Sequence, residues 1–135
     1  MIFIFLGLTF HGCSDDDGAK QLCDFDAQID ADLFRTAPQD DLIINALGIE
    51  DDCVVFEFSA SGCDGGTWEI KLVDSGAVME SLPPQRNLIL SLKNEEVCDA
   101  VITKVVSFDI SNLQVEGDGV RLNIINTAAN VLYEY

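Results

Sequence analysis

Apolar and polar residues alternate with a period of two in five separate stretches of the chain. Val54, Phe56 and Phe58 alternate with Val55, Glu57 and Ser59, and Trp68, Ile70 and Leu72 alternate with Thr67, Glu69 and Lys71. Leu88, Leu90 and Leu92 repeat the pattern, as do Val120, Leu122 and Ile124, and then Val131, Tyr133 and Tyr135. A helix repeats its apolar face every 3.6 residues and cannot use this spacing, whereas a strand with one dry and one wet face requires it. The predicted class is therefore all-β, with sheets that are buried on one side.

Turn residues punctuate these runs. Glu50-Asp51-Asp52 separates Leu42–Gly48 from Cys53–Ala60, and Gly62 through Gly66 ends the second of them. Gly117-Asp118-Gly119 reads as a hairpin between Leu113–Glu116 and Val120–Ile125, and 126–130 turns the chain into its last strand. Roughly seven or eight short strands follow, the spacing of a single antiparallel β-sandwich, with an immunoglobulin-like order expected first and an open barrel as the alternative. Asp30 to Ala37 has the makings of one or two helical turns stopped by Pro38. The longest predicted connection, 74–87, exceeds the usual loop of about 4–6 residues, and long loops often carry function. Its Val78, Met79, Leu82, Pro83 and Pro84 form a candidate interaction loop.

The start of the chain has a different character. Residues 1–12 contain no Asp, Glu, Lys or Arg, and as a helix they would reach about 18 Å, short of a bilayer core of about 30 Å. That length suits the apolar region of a secretory signal. Gly12-Cys13-Ser14-Asp15-Asp16-Asp17 resembles a bacterial lipoprotein signal followed by the acidic export run of Bacteroidota surface lipoproteins, although Phe10 and His11 replace its usual Leu and small residue. The resemblance implies that residues 1–12 are removed and that Cys13 is acylated, palmitate being one of the chains. It also implies that 13–22 form an acidic tether to a domain at 23–135, on the outer membrane and facing the exterior. Two or three acyl chains, at about 0.8 kcal/mol per buried methylene, anchor a protein durably.

Charge and chemistry narrow the functions. Seven Lys and Arg against 24 Asp and Glu leave a net charge of −17, which repels phosphate backbones and excludes nucleic acid as a partner. The single histidine, His11, lies in the leader, so the expected mature chain has no imidazole for triad or metal chemistry. Neither a phosphate-binding loop nor a nucleophile elbow is present, and Gly62-Cys63-Asp64-Gly65-Gly66 precedes a strand rather than a helix. Glu57 and Glu69, on strands expected to be neighbours, are a carboxylate pair of the kind glycoside hydrolysis uses, but such residues are more often the solvated face of a sheet, and that is the expectation here. Asp15-Asp16-Asp17, Asp40-Asp41 and Asp51-Asp52 lack the calcium-loop spacing, and no cofactor or metal is expected. Trp68, at an inward position, is expected in the core rather than as a sugar platform.

Cys23, Cys53, Cys63 and Cys98 remain after Cys13, an even number that reads as two disulfides in an exported domain, with three possible connectivities. They lack the C-x-x-C spacing of zinc sites. Ser61-Gly62-Cys63-Asp64-Gly65-Gly66-Thr67-Trp68, Ser81-Leu82-Pro83-Pro84-Gln85, Val97-Cys98-Asp99-Ala100 and Ser107-Phe108-Asp109-Ile110 resemble a family of small Bacteroidota lipoproteins of uncharacterised function. In that pattern the positions of Cys63 and Cys98 recur together, which implies that they pair and leaves Cys23 with Cys53. The expected role is non-catalytic: an interaction or accessory module, membrane-bound through its lipid, with a protein or glycan partner. A glycan-binding sandwich and a hydrolase inhibitor are the alternatives.

Overall fold

The computed structural model describes residues 22–135, so the leader, Cys13 and the Asp15–Asp17 run lie outside the described residues. The elements are β1 (Phe25–Asp26), β2 (Gln28–Ile29), α1 (Ala31–Thr36), β3 (Ile43–Glu50), β4 (Cys53–Gly62) and β5 (Glu69–Met79). They continue with β6 (Gln85–Lys93), β7 (Ala100–Asp109), a 3-10 turn (Ser111–Leu113), β8 (Gly119–Ile124) and β9 (Ala129–Glu134). Two sheets pack face to face, in the orders β1-β7-β4-β3 and β2-β5-β6-β8-β9. The expected all-β sandwich is thus the architecture found.

Its pairing is mixed rather than purely antiparallel. β3–β4, β4–β7, β5–β6 and β8–β9 are antiparallel, whereas β1–β7, β2–β5 and β6–β8 are parallel. Parallel neighbours need a crossover between them. Here the chain supplies crossovers by changing sheets: β7 ends in the first sheet, and β8 begins in the second, beside β6.

The alternating residues meet where their period predicts. Phe56, Leu72, Leu88, Leu90, Val120, Leu122, Ile124 and Tyr133 are all fully buried between the sheets. Phe108 packs edge-on against Phe56 with centroids 6.0 Å apart. Tyr133 donates its hydroxyl to Asp52 Oδ1 at 2.6 Å and accepts from Gln114 Nε2 at 2.8 Å, pinning β9 to the β3–β4 turn. Burial, together with the Asp52 carboxylate, pushes its ionisation up to about 12. The outer face of the second sheet has a satellite core, in which Leu33 and Phe34 of α1 pack around Ala37, Val73 and Ile89. Asp30 caps α1 by accepting from Leu33 N at 2.9 Å, and the helix stops before Pro38.

Two expected connections are corrected. The supposed loop 74–87 is mostly sheet, because β5 continues to Met79 past a register shift between Asp74 and Val78, and β6 starts at Gln85. Asp74-Ser75-Gly76 has turn chemistry, but it is spent on a bulge: Gly76 has φ 88° and donates its N–H to Asp74 Oδ1 at 2.7 Å. The Leu113–Glu116 strand is also absent. Leu113, fully buried, plugs the end of the sandwich, and Val115 bonds through both backbone groups to the Tyr135 hydroxyl instead of to a ladder.

Candidate functional site

The glycine-rich loop between β4 and β5 is built around a carboxylate. Glu96 Oε1 accepts the N–H groups of Cys63 at 2.7 Å, Asp64 at 3.2 Å and Gly65 at 2.9 Å. Its Oε2 accepts from Thr67 N at 3.1 Å and Thr67 Oγ1 at 2.7 Å. Successive N–H groups turned one way make an anion-binding concavity, and this chain fills it with its own side chain. The Thr67 hydroxyl first, then the Gly65 amide, hold the Glu96 carboxyl down at about 2, against 4.5 for an ordinary glutamate. Gly62 is required because a Cβ there would sit 2.8 Å from Glu96 Oε1 and 2.9 Å from the Trp68 ring. The Cys63–Cys98 disulfide closes the same joint covalently.

This geometry predicts a signed pH effect. A depressed carboxyl pKa contributes stability in full above about 4.5 and loses it as pH falls toward 2. Glu96→Gln is therefore expected to unfold at lower denaturant than wild type at pH 7. The two midpoints should converge below about pH 2. A gap that persists at that pH would show that charge is not what holds the loop.

Beside the loop, Trp68 is half-buried against Phe58 at 5.8 Å between centroids, with its Nε1 shut away from solvent. Lys104 covers the ring at 5.7 Å and donates to Gly65 O at 3.1 Å. Asp24, Phe25 and Ile70 help line the cleft beside it, of about 350 Å³. As expected, the indole packs onto the core, and its ring face is taken by the lysine rather than offered as a flat platform. It immediately precedes β5, whereas the turn 80–84 follows the other end of that strand, so the two lie at opposite ends of it.

The outer face of the first sheet carries exposed apolar side chains alongside its acids Glu50, Glu57 and Asp109. Ile43, Val101 and Val105 are 68%, 75% and 63% exposed there. Between them Asn45 donates to Ser59, which shares a 2.7 Å hydrogen bond with Thr103. Glu57 is the acid near the middle of this face.

The residues singled out from sequence are dispersed. Glu57 and Glu69 lie on different sheets, and their neighbours Phe56, Phe58 and Ile70 point inward. The carboxylates therefore face outward on opposite sides of layers stacked about 10 Å apart, too far to flank a glycosidic bond. Asp52 is held by Tyr133 and Asp40 by the Asn94 amide, and no three His, Cys, Asp or Glu gather for a metal among the described residues. Of the candidate loop, Val78 and Met79 belong to β5, Pro83 and Pro84 are half-buried, and Leu82 alone is almost fully exposed. Both disulfides, Cys23–Cys53 and Cys63–Cys98, are present as the resemblance implied.

No protein-family model and no curated protein matches the sequence. Among solved structures, the crystal structure of a protein of unknown function, DUF1344, from Bacteroides vulgatus is similar, with a TM-score of 0.56 at 14% identity. The match covers 82% of this chain and 55% of that one, so this chain spans about half the length of its structural neighbour. At that identity the likeness is one of fold alone.

Proposed function

We propose that this is a lipid-anchored protein of the bacterial outer membrane, facing the exterior, whose domain works by binding and not by catalysis. The observation that carries the reading is Cys13. It follows an uncharged apolar stretch, precedes Ser14-Asp15-Asp16-Asp17, and is the cysteine left over once the other four are paired. Two disulfides also suit an oxidising compartment outside the cytoplasm. Binding is supported by the exposed apolar side chains Ile43, Val101 and Val105 on one sheet face, and by the wide separation of Glu57 from Glu69.

The test is metabolic labelling with a palmitate analogue in a host that processes lipoproteins. Wild type is expected to take the label and sediment with the outer membrane, and Cys13→Ala to do neither. Label retained by the variant, or wild type recovered unlabelled in the cytosol, overturns the reading.

A further inference from the structure

The first sheet ends at β3, which is hydrogen-bonded to β4 on one side and to no strand on the other among the described residues. In an antiparallel ladder, alternate residues of an edge strand turn N–H and C=O outward, a template for one more strand. Folded domains usually guard such an edge with Lys, Pro or extreme shortness. β3 has none of these protections: it is eight residues long and contains neither Lys nor Pro. One register shift between Ile44 and Ala46 still leaves Ala46–Glu50 in continuous pairing. Its inward side chains Ile44, Leu47 and Ile49 are only half-buried, so an added strand would complete their cover. A groove of about 330 Å³ bordered by Ala46, Gly48, Val55 and Val105, with Glu50 and Glu57 also in its lining, runs from this edge onto the outer face.

The ends of β3 are acidic. Asp40 and Asp41 precede it, and Glu50, Asp51 and Asp52 close it. Pairing β3 with a second copy would set acids against acids whichever way the copy ran, because both ends carry the same sign. The edge is therefore open to a strand but closed to its own kind. The other long free edge, β9, has Glu134 as its one acid and lacks this frame.

We infer that β3 is a docking edge for an extended segment of another protein, apolar at alternate positions and carrying Lys or Arg at both ends. The segment adds as a fifth strand to the first sheet, its backbone bonding to β3. Its basic ends pair with Asp41 and Glu50, and its alternate side chains lie over Ala46 and Gly48. This deepens the binding half of the proposed function and does not depend on the lipid anchor.

The experiment uses the exported chain in detergent and two fluorescent peptides with the same alternating Thr-Val centre, one flanked by Lys-Lys and one by Glu-Glu. The Lys-flanked peptide is expected to bind about tenfold or more tightly than its counterpart at low salt, the sum of a few exposed ion pairs. Binding should weaken as salt rises and should slow hydrogen exchange at the amides of β3. Asp41→Lys with Glu50→Lys should reverse the preference. Glu69→Lys with Glu80→Lys changes net charge equally but lies at the two ends of β5, in the other sheet, and should leave the order unchanged. Equal affinities, protection away from β3, the same reversal in the β5 control, or dimers of the free protein protected along β3 would each overturn the proposal. Membrane fractionation of the same preparation reports on the anchor separately.

Discussion

Arg86→Met is expected to destabilise the domain by about 3–5 kcal/mol, because it strands a buried carboxylate. Asp74 is fully buried, and Arg86 Nη1 lies 3.0 Å from its Oδ1, while Arg86 Nε donates to Leu113 O at 2.9 Å. Burial raises the Asp74 pKa despite the opposing Gly76 amide and the arginine, so these partners offset only part of the desolvation cost of the carboxylate. With the guanidinium gone, that cost is no longer offset. Asp74→Asn keeps an acceptor for Gly76 N and leaves the arginine unpaired instead. Combining the two removes both charges, and the double variant should recover a substantial part of the loss, a coupling of at least about 1 kcal/mol. The pH dependence has a definite sign. A carboxyl whose folded pKa lies above its unfolded value favours the folded state as it takes up a proton, so the Arg86→Met deficit should shrink as pH falls from 7. Urea unfolding of the four proteins at two pH values decides the matter. Additive losses that ignore pH would show that Arg86 acts through packing alone.

Periodicity located β4, β8 and β9 because each has one dry and one wet face, and a two-residue repeat records that difference locally; in β5 and β6 the inward repeat is still legible, although Val73 and Ile89 on the outer face are buried as well, beneath α1. It is weaker over β7, where Val101 and Val105 are apolar yet face outward while Val106 and Phe108 face the core. The bulge at Asp74 was invisible for another reason. An Asp-Ser-Gly triplet has turn chemistry, and the Arg86 that pairs with Asp74 lies 12 residues further along the chain. Leu113–Glu116 is the opposite case: its apolar residues have the composition of a strand, but Leu113 belongs to a 3-10 turn and Val115 bonds to a tyrosine hydroxyl. Parallel pairing, as between β6 and β8, depends on which sheet a crossover enters, and no short window of residues encodes that. The candidate site shows the same limit. Trp68 and the glycine loop are conspicuous in the sequence, whereas Glu96, within the polar run Lys93-Asn94-Glu95-Glu96, is not. A loop with several N–H groups and no ladder partner needs an acceptor, and that was the available signal. Which acid supplies it depends on contacts about thirty residues away in sequence.

Removing the Cys63–Cys98 bridge by a paired change to serine should lower stability by about 3–4 kcal/mol on the chain-entropy model, given the 35-residue separation of its ends. That is a large share of a typical net stability of about 5–15 kcal/mol. The consequence is also local. Glu96 stands two residues before Cys98, and its five hydrogen bonds converge on the loop that carries Cys63. Without the bridge, the segment holding Glu96 is free to leave, so amide exchange at residues 63–67 should accelerate more than at β4 or β6. The two disulfides differ in access. Cys23 and Cys53 are 4% and 6% exposed, whereas Cys63 and Cys98 are both exposed residues. A thiol reductant reaches sulfur by direct attack, so graded reduction should open Cys63–Cys98 first and Cys23–Cys53 only as the fold gives way. Alkylation of newly freed thiols followed by peptide mapping reads that order directly. Early labelling of Cys23 and Cys53 would overturn the access order, and a paired Cys63→Ser, Cys98→Ser variant that unfolds at the wild-type midpoint would mean that the loop is held by Glu96 and the surrounding sheet without help from the bridge.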